Sequence, residues 1–114
     1  MTTATAIGDR VRELQKRAEL THEEVGRIVD ASPRTVGRWA AGETAPQREA
    51  RQRLLELAYV AEQLVEVIEP GERNLWLFSP NRLLDHDTPA ERIARGDFRT
   101  VLALIEALAD GIVT

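Results

Sequence analysis

The sequence predicts an all-α protein, and three observations carry that prediction. Apolar residues recur at i, i+3, i+4 and i+7 through almost every segment. Helix-start signals, a Ser or Thr followed by Pro or, three residues later, by Glu or Gln, precede those segments repeatedly. Nothing reads as a strand, a low-complexity tract or a long linker. The 114 residues suffice for one core, or for two small helical units sharing one. Hydrophobic content of 43% with 30% charged residues is that of an ordinary globular chain rather than a disordered one.

The elements follow in order. "IGDRVRELQKRAEL" sets Ile7, Val11, Leu14 and Ala18 on one helical face. "LTHEEVGRIVD" opens with Thr21 and Glu24 in capping-box spacing, and Val25, Ile28 and Val29 then face inward. In "ASPRTVGRWAAGE", Ser32 is the N-cap, Pro33 occupies the first helical position and Gly42 is the stop. Thr44 and Gln47 offer another capping box for the longest helix, expected over roughly 45–69. Its stripe, from Leu54 to Ile68, covers about half the circumference. One neighbouring helix cannot cover so wide an arc, so either two helices of this chain or a second copy must pack there.

"EPGE" ends that helix, and "ERNLWLF" predicts one short helical turn. Ser79-Pro80 reads as a start for "NRLL", and Thr88-Pro89 with Glu91 as a capping box for "AERIA". Gly96 stops that helix, and Asp97 caps a last one buried through Phe98, Val101, Leu102, Ile105 and Leu108. Gly111 ends it, leaving an apolar Ile112-Val113-Thr114 tail. Trp76 and Phe78 are expected to pin the Ser79-Pro80 turn onto the long helix.

Two short helices joined by a tight turn, the second closing on a tryptophan and a glycine, form a helix-turn-helix pattern. Gly26 is small where the helices approach, Asp30 tolerates the left-handed turn, and Val36 and Trp39 point inward. Arg34, Thr35 and Arg38 remain on the outer, amino-terminal side of the second helix, where base edges and phosphates would lie. Residues 1–50 carry eight basic and eight acidic side chains, while residues 51–114 carry seven and eleven, which supplies the whole net charge of −4. The second half is therefore not the part that reads DNA.

Residues 7–45 resemble the Xre-type helix-turn-helix family, with His22 where that family usually has a phosphate-touching glutamine and Asp30 where it has glycine. The remainder, "RLLELAYVAEQLVEVI", "NLWLFSPNRLL" and "TPAERIARGDFRTVLALIEALADGIV", resembles the toxin-binding domain of Xre/MbcA/ParS-type antitoxins, the MbcA-like members most closely. The resemblance implies a helix-turn-helix bundle over residues 1–45 continuous with a helical toxin-binding domain over 46–114. It further implies an antitoxin whose partner is a RES-domain toxin that degrades NAD, blocked by the antitoxin's carboxyl-terminal end, and autorepression of the operon through DNA. Carried onto this chain, the plug is Gly111, Ile112, Val113 and Thr114, with Asn81 and Arg82 as neighbouring contacts.

Catalysis is not expected. Asp85-His86-Asp87 superficially suggests a metal or acid–base site, but the second histidine, His22, lies in the other half and there is no cysteine. A solvated loop is the expected reading of that triplet. No phosphate-cradling glycine loop or nucleophile motif occurs, so no cofactor or metal is expected. Met1 to Ile7 is short, polar and uncharged, unlike a signal peptide, and no apolar run reaches membrane-spanning length. These features predict a cytoplasmic protein, homodimeric through its long helix. Two rival expectations are a stand-alone repressor whose second half only dimerises, and a protein-binding module whose helix-turn-helix no longer holds DNA.

Overall fold

The computed structural model describes residues 3–111, and these form seven α-helices and one 3-10 turn with no strand among them. In chain order the helices are α1 (Thr3–Ala18), α2 (His22–Val29), α3 (Pro33–Ala40), α4 (Arg48–Leu64), α5 (Arg73–Leu77), α6 (Pro89–Ala94) and α7 (Phe98–Ala109). The 3-10 turn, Arg82–Leu84, lies between α5 and α6.

Local chemistry explains most boundaries. Thr21 and Thr88 each accept the backbone N–H three residues on, while Glu24 and Glu91 reach back to the threonine N–H, so both predicted capping boxes form. Ser32 caps α3 with Pro33 at its first turn. Asp30 closes α2 in the left-handed conformation at φ 62°. Gly42, at φ 74°, turns the chain away after α3.

Other boundaries differ from the sequence expectation. The long helix starts at Arg48 rather than near 45, and its N-cap Gln47 makes no side-chain cap bond, so the Thr44–Gln47 capping box does not form. Pro46 is the reason: it is buried, and a proline forces the preceding residue towards extended backbone. Beyond Leu64 the chain tightens, with Glu66 and Val67 bonding three residues back, and the regular helix ends about five residues early. Ser79 does not cap the 3-10 turn; its hydroxyl donates to Leu75 O at 2.5 Å, and Asn81 is the cap instead, accepting from Leu83 N. Asp97 stands at the start of α7 but accepts from the Thr100 hydroxyl at 2.7 Å rather than capping the backbone.

One apolar cluster runs through the chain from Ile7 to Ile105, with α4 at its centre. Leu54, Leu57, Val60, Ala61 and Leu64 have no exposed surface, and α1, α2, α6 and α7 all pack against that helix. The wide stripe on α4 is therefore covered by helices of its own chain, and it does not require a second copy. On α7 the buried positions are Val101, Leu104 and Ile105, while Phe98, Leu102 and Leu108 are half-buried. Trp76 and Phe78 likewise pack half-buried against the core.

Candidate nucleic-acid and partner interfaces

The amino-terminal site is α2, the turn and α3. Val25, Ile28, Val29, Val36 and Trp39 are all buried, which fixes the two helices against α1 and α4 and turns the opposite face of α3 outward. Arg12 of α1 donates to the carbonyl of Ala40, tying the end of α3 to the same scaffold. Gly26 is small for a reason other than the one its position suggests. A Cβ there would collide with the carbonyl oxygen of Ala31, so it is the turn backbone that needs the space.

Arg34 and Arg38 are exposed and Thr35 is half-buried on that outward face. No salt bridge holds Arg34 among the described residues, whereas Arg38 lies 3.5 Å from Glu43. Thr35 accepts from the Ser32 hydroxyl at 2.9 Å. His22, at the start of α2, meets Gln15 through Nδ1 at 2.9 Å, and its ring lies over Gly37 of α3. These polar groups share one surface, the chemistry that phosphates and base edges require.

The carboxyl-terminal site comprises the end of α7 and the 3-10 turn. Ile112, Val113 and Thr114 lie outside the described residues. Gly111 follows α7 at φ 72°, with open space around it. Asn81 is half-buried and engaged by the 3-10 turn, and Arg82 is exposed. Leu75 and Leu83 are exposed apolar residues on the same stretch, at 65% and 53%.

The Asp85-His86-Asp87 segment is an exposed loop at Asp85 and His86, as its sequence suggests, while Asp87 is half-buried and bonded. Asp85 and His86 both adopt left-handed backbone, and Asp87 accepts from Arg92 at 2.9 Å and from Arg95 at 2.7 Å. Arg92 also binds Asp97 at 3.0 Å and the carbonyl of Leu84 at 2.9 Å. The Arg92 hydrogen bond holds the Asp87 carboxyl below its ordinary value, and the Thr100 hydroxyl does the same for Asp97. Asp87 thus anchors the start of α6, and no group of three or more His, Asp or Glu among the described residues is arranged to hold a metal ion.

A junction between the two halves is the feature that sequence reasoning missed. Glu19, in left-handed backbone after α1, accepts the backbone N–H groups of Gly71 at 2.5 Å and Arg73 at 3.1 Å. Its carboxylate thereby caps α5, fifty-odd residues away, and these N–H groups, Gly71 foremost, hold its pKa below the ordinary value. Arg73 is buried and donates to the carbonyls of Ile68, Val65 and Arg17. Asn74 donates to Glu19 O at 2.9 Å and to the Glu24 carboxylate at 3.0 Å, the same carboxylate that caps α2. Burial raises the pKa of Glu24, but the hydrogen bonds from Asn74 and Thr21 outweigh it and the net shift is downward. In sequence Arg73 and Asn74 are polar residues beside a Pro-Gly break, indistinguishable from a solvated loop, and nothing links them to Glu19 or Glu24.

Comparison with known proteins places the whole arrangement. A family model described as a helix-turn-helix domain matches residues 6–67, more than half of the chain. The mycobacterial cidal antitoxin MbcA of Mycobacterium tuberculosis is 57% identical over 97 residues, 85% of this chain and 86% of that protein. MbcA of Mycobacterium bovis matches equally well. This chain belongs to the MbcA-like helix-turn-helix antitoxins. A chain in the crystal structure of the M. tuberculosis MbcT–MbcA toxin–antitoxin complex superposes with a TM-score of 0.86 at 52% identity, covering 94% of this chain and 96% of its own. For an MbcA-like antitoxin the reach of the family model to residue 67 is informative, because it includes all of α4. That helix is buried by elements from both halves, which is why the helix-turn-helix unit and the carboxyl-terminal region share one core. No helix among the described residues is long and apolar enough to cross a membrane.

Proposed function

We propose that this antitoxin neutralises a RES-domain toxin that degrades NAD by lodging its carboxyl-terminal end, Gly111 to Thr114, in the toxin's NAD site. Asn81 and Arg82 join the same interface. The helix-turn-helix, through Arg34, Thr35 and Arg38, binds operator DNA as a homodimer and represses the operon. The observation that carries the reading is the likeness, at 52% identity over 94% of the chain, to an antitoxin solved together with its toxin. The geometry supports it in two ways. The end of α7 runs out past a glycine with open space around it, as a segment that enters a partner's cleft requires. The outward face of α3 bears cations on a rigid scaffold, as a recognition helix requires.

The test is removal of residues 111–114. The shortened chain is expected to lose protection of cells expressing the cognate toxin while shifting operator DNA as the full chain does. Protection that survives the deletion removes the plug. Operator binding with no effect on any RES-domain toxin returns the chain to a repressor acting alone.

A further inference from the structure

Gln15 and His22 form a polar pair beside α3 whose hydrogen positions follow from their partners. Gln15, half-buried on α1, directs its side-chain nitrogen at two atoms, the carbonyl oxygen of Leu20 at 3.2 Å and Nδ1 of His22 at 2.9 Å. A carbonyl oxygen only accepts, so the NH2 end of the amide faces Leu20, and its second hydrogen goes to Nδ1. Nδ1 is therefore the acceptor, and the neutral ring carries its proton on Nε2. That edge of the ring lies against α3, where a Cβ on Gly37 would stand 3.3 Å from Cδ2 and 3.5 Å from Nε2. Arg34 precedes Gly37 by about one turn, and Arg38 follows it directly. His22 is exposed, and among the described residues no group accepts from Nε2. The pair thus leaves one N–H donor open beside the two arginines.

We propose that Gln15 is a positioning residue for DNA binding, which locks His22 in the Nε2–H tautomer and so presents a neutral donor to a DNA phosphate. This deepens the DNA-binding reading and rests on it. Phosphate is the acceptor because of where the ring stands. In a helix-turn-helix the second helix enters the groove while the first crosses the backbone, and His22 begins the first. Gln15 cannot make the contact itself, since both of its N–H hydrogens are already committed to Leu20 and His22. Its effect on DNA therefore passes through the ring. The acidic neighbours do not charge that ring. Glu23 is paired with Arg27, and the Glu24 carboxylate is taken by Thr21 N and Asn74. Gln15 from α1 and Gly37 from α3, the residues against the ring, carry no charge. A neutral donor releases no counterion, which separates its contribution from that of Arg34 and Arg38.

Titration of fluorescein-labelled duplex from the chain's own promoter, at about pH 8 where an unperturbed imidazole is neutral, tests the pair. His22→Ala is expected to weaken binding about tenfold, equally on promoter and scrambled duplex, with the slope of log K against log salt unchanged. His22→Gln, whose amide nitrogen reaches the place of Nε2, restores most of the affinity. His22→Asn reaches only the place of Nδ1 and does not. Gln15→Met is expected to weaken binding about threefold to fivefold in the parent and not at all in the His22→Ala chain. Long-range proton–nitrogen NMR spectra of the free parent are expected to show Nε2 protonated and Nδ1 bare, and those of Gln15→Met a mixture of both forms. Unchanged far-ultraviolet circular dichroism identifies variants that retain the fold. Promoter binding indifferent to His22→Ala, or a parent ring protonated on Nδ1, overturns the proposal and leaves the DNA-binding reading standing. So does a Gln15→Met loss that persists without His22, which marks a purely structural role. A salt slope reduced by about 1 in His22→Ala identifies a charged contact and overturns the neutral donor. A parent chain that binds no promoter duplex at any salt concentration removes the DNA-binding reading itself, and the proposal with it.

Discussion

Arg73 shows how much one side chain can organise. Its guanidinium is buried, bonded to three carbonyls from the α4–α5 connection and the end of α1, and it lies beside the Glu19 carboxylate that caps α5. Arg73→Met keeps the apolar stem but leaves those carbonyls without a donor, and is expected to cost about 2–4 kcal/mol in urea unfolding. Glu19 adds a pH dependence whose sign is determined. Its pKa in the folded chain lies below its ordinary value of 4.5, so its contribution is complete above that value and is lost as pH falls through the folded one. Asp87 and Asp97, lowered from 3.8, act in the same direction at lower pH. The urea midpoint is expected to hold steady down to about pH 5 and then fall, and Glu19→Gln is expected to make that decline shallower.

At the scale of elements, helix starts were legible and helix packing was not. The Thr21–Glu24 and Thr88–Glu91 boxes and the Ser32-Pro33 start form as their spacing predicts, because each is closed by atoms within one turn of chain. Thr44–Gln47 has the same spacing and fails, because Pro46 between them is buried in an extended segment. The two glycines of the helix-turn-helix show the same dependence on surroundings. Gly26→Ala drives a methyl into the Ala31 carbonyl, which belongs to the turn and cannot move aside, and is expected to cost about 2–4 kcal/mol of stability. Gly37→Ala meets only the His22 ring, at 3.3 Å, which can rotate. Helix propensity then offsets the crowding, and the thermal midpoint is expected to stay near that of the parent. The pair of thermal unfolding curves decides both.

For the whole molecule, the decisive fact is that a helix-turn-helix with Arg34 and Arg38 turned outward and an acidic carboxyl-terminal half are built on one core around α4. With the front half electrically balanced, the proposed attraction to DNA must come from where its cations stand rather than from their number. Arg34 and Arg38 are expected to carry that attraction. Alanine at both is expected to weaken operator binding and to reduce the slope of log K against log salt by about 1 for each phosphate left without its arginine. A fluorescence titration at several salt concentrations measures it. Truncation at residue 111 is expected to leave that slope unchanged, since it keeps Arg34 and Arg38 in place.

Sequence alone determined the helical class, the Thr21, Ser32 and Thr88 caps, the inward faces of α1 to α3 and the outward placement of Arg34 and Arg38, because periodicity and capping are local and act within one or two turns. The tertiary structure alone decided that the broad stripe of α4 is covered from within the chain, which leaves its opposite face open. It also decided that Asp87 is a ligand of Arg92 and Arg95 rather than a solvated loop residue, and that Glu19 caps α5. Those outcomes depend on which polar groups meet once distant segments are packed together, and no spacing along the chain encodes them.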